Sequence, residues 1–367
     1  MAEAQLGAGQ VAEAIGSYIR AEDAGNVGAV VAGAEEAGCW EDLVRYLLMA
    51  RKQVKDARVD SELLFAYART DNLAGIEELI NGPHMANLEV AGDRCFNAQL
   101  YHAAKVLFRH IPNWGRLASA LVHLHEFSAA VDAARKANSI RTWKEVCFAC
   151  VAEGEFKLAQ LCGLNIIVNA EELDEVSQFY MVRGHVDQLI ALFESGIGSD
   201  RAHMGIFTEL GALYARFRPD KLMEHLKLFT QRLNIPRLLR VCETYQQWRA
   251  LAYLYVHYDE FDNALLVMME HSPDAWEHVG FKDTCVKVSS IDLYYKAIEF
   301  YLEEHPDMLA DLLRVLEIRV DHARVVDILR RRNLLPLIKD YLLSVQASGM
   351  GGGLGVSGVY VYVGGVE

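Results

Sequence analysis

The chain has 367 residues, of which 52% are hydrophobic and 23% charged, with 36 Lys and Arg against 50 Asp and Glu for a formal net charge of −14. This is enough apolar material for a large core and excludes the disordered class. The acidic excess argues against a general binder of nucleic acid or of an anionic membrane, since that affinity comes from surplus cations.

With 7 Pro in the whole chain and Ala, Leu, Glu and Val throughout, helix is the expected element. Met1 to Gln10 offers no basic stretch followed by an apolar block, so no secretory signal is expected. From there two short words recur. One is Trp followed three residues later by Leu or Val: Trp40/Leu43, Trp114/Leu117, Trp143/Val146, Trp248/Leu251 and Trp276/Val279. Residues three apart share a helix face, so each pair is expected to pack as two apolar knobs. The other is an apolar or aromatic residue followed three later by Ala: Val11/Ala14, Tyr101/Ala104, Phe127/Ala130, Phe156/Ala159, Phe261/Ala264, Tyr294/Ala297 and Val320/Ala323, with looser versions at Leu73/Ile76 and Val186/Leu189.

Trp114 to Phe127, Trp143 to Phe156 and Trp248 to Phe261 are each 13 residues, one short helix plus a turn. The two words together therefore predict a helical hairpin, and the marks at 73, 101, 127, 156 and 186 predict one about every 30 residues. The expected fold class is all-α, an α-solenoid of stacked hairpins running as one rod from residue 1 to 346. Gly82-Pro83, Pro112, Gly154, Gly184, Pro219, Pro236, Pro273, Pro306 and Pro336 are the expected breaks, with Asn81-Gly-Pro, Arg218-Pro and Ser272-Pro read as helix starts.

The Cys are odd in number and scattered, at 39, 95, 147, 150, 162, 242 and 285, which fits buried thiols in a reducing compartment and no disulfide framework. Cys147-Phe-Ala-Cys150 sits on an apolar helical pattern with no second pair in range, so core packing is favoured over a metal or redox site. His123 and His125, two apart on a helix, would diverge. No catalytic constellation, cofactor motif or metal set is found, and the expectation is a protein that is not an enzyme.

Two stretches are basic and free of acids: Arg135, Lys136, Arg141 and Lys144, then Lys227, Arg232, Arg237 and Arg240. Arg330, Arg331 and Arg332 form a third cluster. They read either as cations at helix C-termini or as a docking track for an acidic partner helix. No uncharged apolar run before Gln346 approaches the roughly 20 residues a membrane-spanning helix needs. From Ala347 to Glu367 there are eight Gly in 21 residues, so the repeat is expected to stop at Gln346 and residues 347–367 to form a disordered tail.

Several strings resemble the proximal leg of the clathrin heavy chain: Arg135-Lys-Ala-Asn-Ser-Ile-Arg-Thr-Trp-Lys-Glu-Val-Cys-Phe-Ala-Cys150, Arg201-Ala-His-Met-Gly-Ile-Phe-Thr-Glu-Leu210, Phe281-Lys-Asp283, Leu293-Tyr-Tyr-Lys-Ala-Ile-Glu-Phe-Tyr-Leu302 and Leu335 to Gln346. The resemblance runs from about residue 5 to 346. It implies super-repeats near 145 residues, placed at approximately 11–155, 156–300 and a partial 301–346, and Val11/Ala14 and Phe156/Ala159 do lie 145 apart. It further implies a structural part of the clathrin coat in vesicle transport and endocytosis, bound to clathrin light chain and to other heavy chains, cytoplasmic and peripheral on coated vesicles and pits. The family's propeller and trimerising hub are not among the matching strings, so a monomer is expected. A vacuolar-sorting tether, another solenoid scaffold or a non-assembling relic of the heavy chain are the alternatives, and an enzyme or redox protein built on Cys147 and Cys150 is the rival from another class.

Overall fold

A computed structural model describes residues 2–332 together with Tyr341 and Leu343. The string Leu335 to Gln346, those two residues apart, and the glycine-rich segment 347–367 lie outside the described residues. Among the described residues there are 24 α-helices, three 3₁₀ turns and no strand, as the composition and the recurring words predict. The described residues form two compact units, divided between Gly196 and Ile197.

From Ala57 onward the first unit is built from helix pairs joined by three-residue links. Ala57–Arg69 pairs with Leu73–Asn81, Leu88–Asn97 with Tyr101–His110, Trp114–His123 with Phe127–Ala137, Ile140–Ala152 with Phe156–Ile166, and Leu173–Val182 with Val186–Ile197. Leu73, Tyr101, Phe127, Phe156 and Val186 thus each open the second helix of a pair, which is why they recur at near-constant spacing. Each link has one residue in the left-handed region: Asp71, Gln99, His125, Gly154 and Gly184. At each, the left-handed residue's N–H and the next one reach back to carbonyls of the last turn. His125 N donates to Val122 O and Glu126 N to Leu121 O, and Gly154 N to Val151 O and Glu155 N to Cys150 O. This turn satisfies carbonyls that a helix end otherwise leaves open. In the second unit the same link joins Trp248–His257 to Phe261–Glu270 through Asp259, and Ile235–Thr244 to Trp248–His257 through Gln246.

The small residue of the second word sits where two helices touch. Ala14, Ala104, Ala130, Ala264 and Ala297 have no exposed surface and Ala159 has 1%. Glycine takes closer approaches still: a Cβ on Gly92 would stand 2.7 Å from the Phe108 ring, and one on Gly163 2.8 Å from Leu192. The second unit's core gathers Phe281, Tyr301, Leu309, Leu312 and Leu313, with the Phe281 ring 5.3 Å from Tyr301 and 5.7 Å from Phe300.

Three readings of the recurring words are corrected. Trp276 follows the short helix Ser272–Ala275 and Val279 is 57% exposed in the next helix, so this pair shares no face; Trp276 stacks instead on His305 at 3.6 Å. Val320 precedes the helix His322–Arg331 and Ala323 is only half-buried. Asn81-Gly-Pro does not start a helix: the next begins at Leu88, with the Asn87 side chain accepting from Val90 N at 3.2 Å. The intervening loop is held instead by Asp60, which accepts from Met85 N at 2.8 Å, and by Arg51, which donates to Pro83 O.

Candidate functional site

Lys144 is the most tightly held of the first basic stretch. On the helix Ile140–Ala152 it reaches Glu172 and Glu175, each at 2.8 Å, and these two bonds raise its pKa. Arg135 and Lys136 end the helix Phe127–Ala137, as the helix-end reading expects. Arg135 pairs with Asp132 at 3.3 Å and Lys136 lies 4.4 Å over the Trp114 ring. Arg141 differs from all of these. It is exposed in the first turn of its helix, where no acid stands and no side chain caps the N-terminus. A cation there opposes the helix dipole, by about 0.3–1 kcal/mol.

In the second unit, Lys227 and Arg232 come together on the rim of a cleft of about 700 Å³ that Phe229, Thr230, Tyr253 and His257 also line. Thr230 and Tyr253 share a hydrogen bond of 3.1 Å, and the Tyr253 and His257 rings lie 4.0 Å apart one helical turn from each other. Tyr253 and His257 were not among the residues singled out in the sequence, where their spacing of four within an apolar helix was the available sign. Arg232 also stands 5.2 Å over the Phe207 ring. Arg237 pairs with Glu209, whereas Arg240 is exposed on the same helix, Ile235–Thr244. Of the third cluster, Arg332 pairs with Glu303 at 2.8 Å.

The acid-free stretches are thus not uniformly free. Sequence spacing hides the partners because they come from neighbouring helices: Glu172 and Glu175 lie 28 and 31 residues from Lys144.

Cys147 and Cys150 have no exposed surface. Burial pushes the Cys147 thiol up to about 12 and the Cys150 thiol up to about 11, against a usual value of 9.0. Cys147 donates to Ala159 O at 3.4 Å across the hairpin, so the pair packs the hairpin interior. Thiols in this state are protonated at neutral pH and are poor nucleophiles and ligands. His123 stacks on Tyr101 at 4.4 Å while His125 occupies the left-handed link position, so the two rings go separate ways. Among the described residues no group of three or more His, Cys, Asp or Glu is placed to hold a metal, and no helix is long and apolar enough to cross a membrane.

The family model described as "Region in Clathrin and VPS" matches residues 18–158 and again 164–309. Clathrin heavy chain 2 of Oryza sativa subsp. japonica is 58% identical over 348 residues, 95% of this chain and 20% of that one. The clathrin heavy chain of Drosophila melanogaster is 53% identical over 347 residues, 95% of this chain and 21% of that one. Clathrin heavy chain 2 of Homo sapiens is 48% identical over 347 residues with the same coverage, 95% and 21%. The chain spans about one-fifth of the length of the relatives it matches.

Proposed function

The chain belongs to the clathrin heavy-chain family, and from that premise we propose that it serves as a structural, non-enzymatic segment of a clathrin coat, binding a clathrin light chain and packing beside other heavy chains on coated vesicles and pits in the cytoplasm. The observation that carries this reading is identity of 48–58% sustained over 95% of the chain. The family model also covers vacuolar-sorting proteins by its description, but the sustained identity is to heavy chains and favours the coat over a sorting tether. Repeated helical pairs suit such a role, because a lattice is held by many weak contacts acting together.

For the light chain the proposed contacts are the basic residues Arg135, Lys136, Arg141, Lys144, Arg232, Arg237 and Arg240. The geometry ranks them. Arg141 in the first unit and Arg240 in the second are exposed on their helices, and Arg232 edges, beside Lys227, a cleft with an aromatic lining, so each of these is available to an acidic helix. Lys144 and Arg237 are engaged with the chain's own acids and contribute mainly by keeping neighbouring helices in place. Co-elution of the chain with purified clathrin light chain in size-exclusion chromatography tests the reading. A shared peak supports it, and separate elution at micromolar concentrations of both contradicts it.

A further inference from the structure

A second surface, in the first unit, lies far in sequence from those basic stretches. The end of the helix Trp40–Gln53, the link that follows it and the loop at Pro83, His84 and Met85 enclose a groove of about 510 Å³. Its apolar lining is unusually open to solvent: Leu48 is 38% exposed, Val54 40% and Met85 59%. Its far wall is fixed, because Asp60 is buried and holds both Arg51 at 2.7 Å and Met85 N at 2.8 Å. The groove is therefore built in the free chain, and its loop is not waiting to be ordered by a ligand.

Its charge is the second observation. Lys52 and Lys55 stand exposed on the rim with no acid within ion-pair distance among the described residues, although the chain as a whole carries −14. The one acid that lines the groove, Asp60, is buried and already paired with Arg51. An occupant that gains from this site presents one or two large apolar side chains to Leu48, Val54 and Met85 and carboxylates to Lys52 and Lys55. The volume is that of a few side chains, within the size of a small-ligand pocket, and a folded second copy would need a far broader face, on the order of 800 Å² per partner.

We propose that this groove docks a short acidic peptide segment of another protein, anchored by apolar side chains between Leu48, Val54 and Met85 and steered by Lys52 and Lys55. The site is independent of the light-chain reading and stands or falls separately from it.

An array of twelve-residue peptides, each with a central apolar pair flanked either by Glu or by Lys, probes the full chain directly. Acid-flanked peptides are expected to be retained over their Lys-flanked counterparts. In fluorescence anisotropy the best of them should weaken at least tenfold in the Lys52→Glu/Lys55→Glu variant and in Met85→Asp, and should weaken with added salt as exposed charges are screened. All three residues are exposed, so the melting temperature should not move, and Arg141→Glu should leave this binding unchanged. Equal retention of both peptide classes, or binding indifferent to both variants, overturns the proposal. So does a concentration-dependent dimer in sedimentation that Met85→Asp abolishes, since the occupant would then be a second copy of the chain.

Discussion

Trp143 shows most clearly what a single residue carries here. It is 5% exposed, inside the first helix of the Cys147 hairpin, while the other four Trp are only half-buried and lie against partners such as Phe65, His271 and His305. Trp143→Ala should therefore cost about 3–5 kcal/mol, read as a lowered urea midpoint, and the same change at Trp114 should cost distinctly less. His225 gives a pH test. It is buried, its Nε2 lies 2.8 Å from Phe207 O, and burial lowers its pKa below 6.5. The unfolded chain then takes up a proton at a higher pH than the folded chain does. Its contribution is fully present above about pH 6.5 and is lost as pH falls from there through the folded value. His225→Gln, which keeps a donor for Phe207 O but does not titrate, should flatten the fall in melting temperature between pH 7 and pH 5. An unchanged slope would remove His225 from the account. The same scale explains why the basic residues were only half legible: their types and spacing are visible in the sequence, but the acids that engage Lys144, Arg237 and Arg332 come from other helices.

At the scale of helices and turns, the second helices that open on Tyr101, Phe127, Phe156 and Phe261 can be read directly, because the opening aromatic and the buried Ala three residues on leave a fixed spacing. The links cannot. Gly9, Gly38, Gly154 and Gly184 announce a left-handed turn, while Asp71, Gln99, His125, Gln246 and Asp259 adopt the same backbone with side chains that announce it less plainly. Asn marks several helix starts as well: the side chains of Asn72, Asn87, Asn113 and Asn234 all accept from the backbone three residues on. The turn geometry is tested at Gly154, where φ is +81° and nothing stands within 4 Å of an added Cβ. Gly154→Ala should cost about 1–2 kcal/mol from backbone strain alone. Gly92→Ala is the contrasting case. It meets a ring with no exposed surface and should cost about 1–3 kcal/mol by overpacking. If both substitutions were neutral, neither the link nor the close helix approach would be as described.

For the whole molecule, the fold class follows from repetition, and family membership from near-continuous identity with heavy chains. What the chain binds is a property of its surface, and there the net charge of −14 conceals exposed cations such as Arg141, Arg240 and the Lys227 and Arg232 pair at the cleft. The proposal is that a clathrin light chain gains from exposed cations such as these. Isothermal titration of the full chain with purified clathrin light chain, at about 0.1 M salt and again at about 0.5 M, tests it most directly. Saturable binding that weakens with salt is expected, reduced severalfold by Arg141→Glu and left intact by Lys296→Glu, an exposed change on the helix Ile291–Glu304. Absence of binding heat at either salt, or tight binding that neither salt nor Arg141→Glu alters, would contradict it.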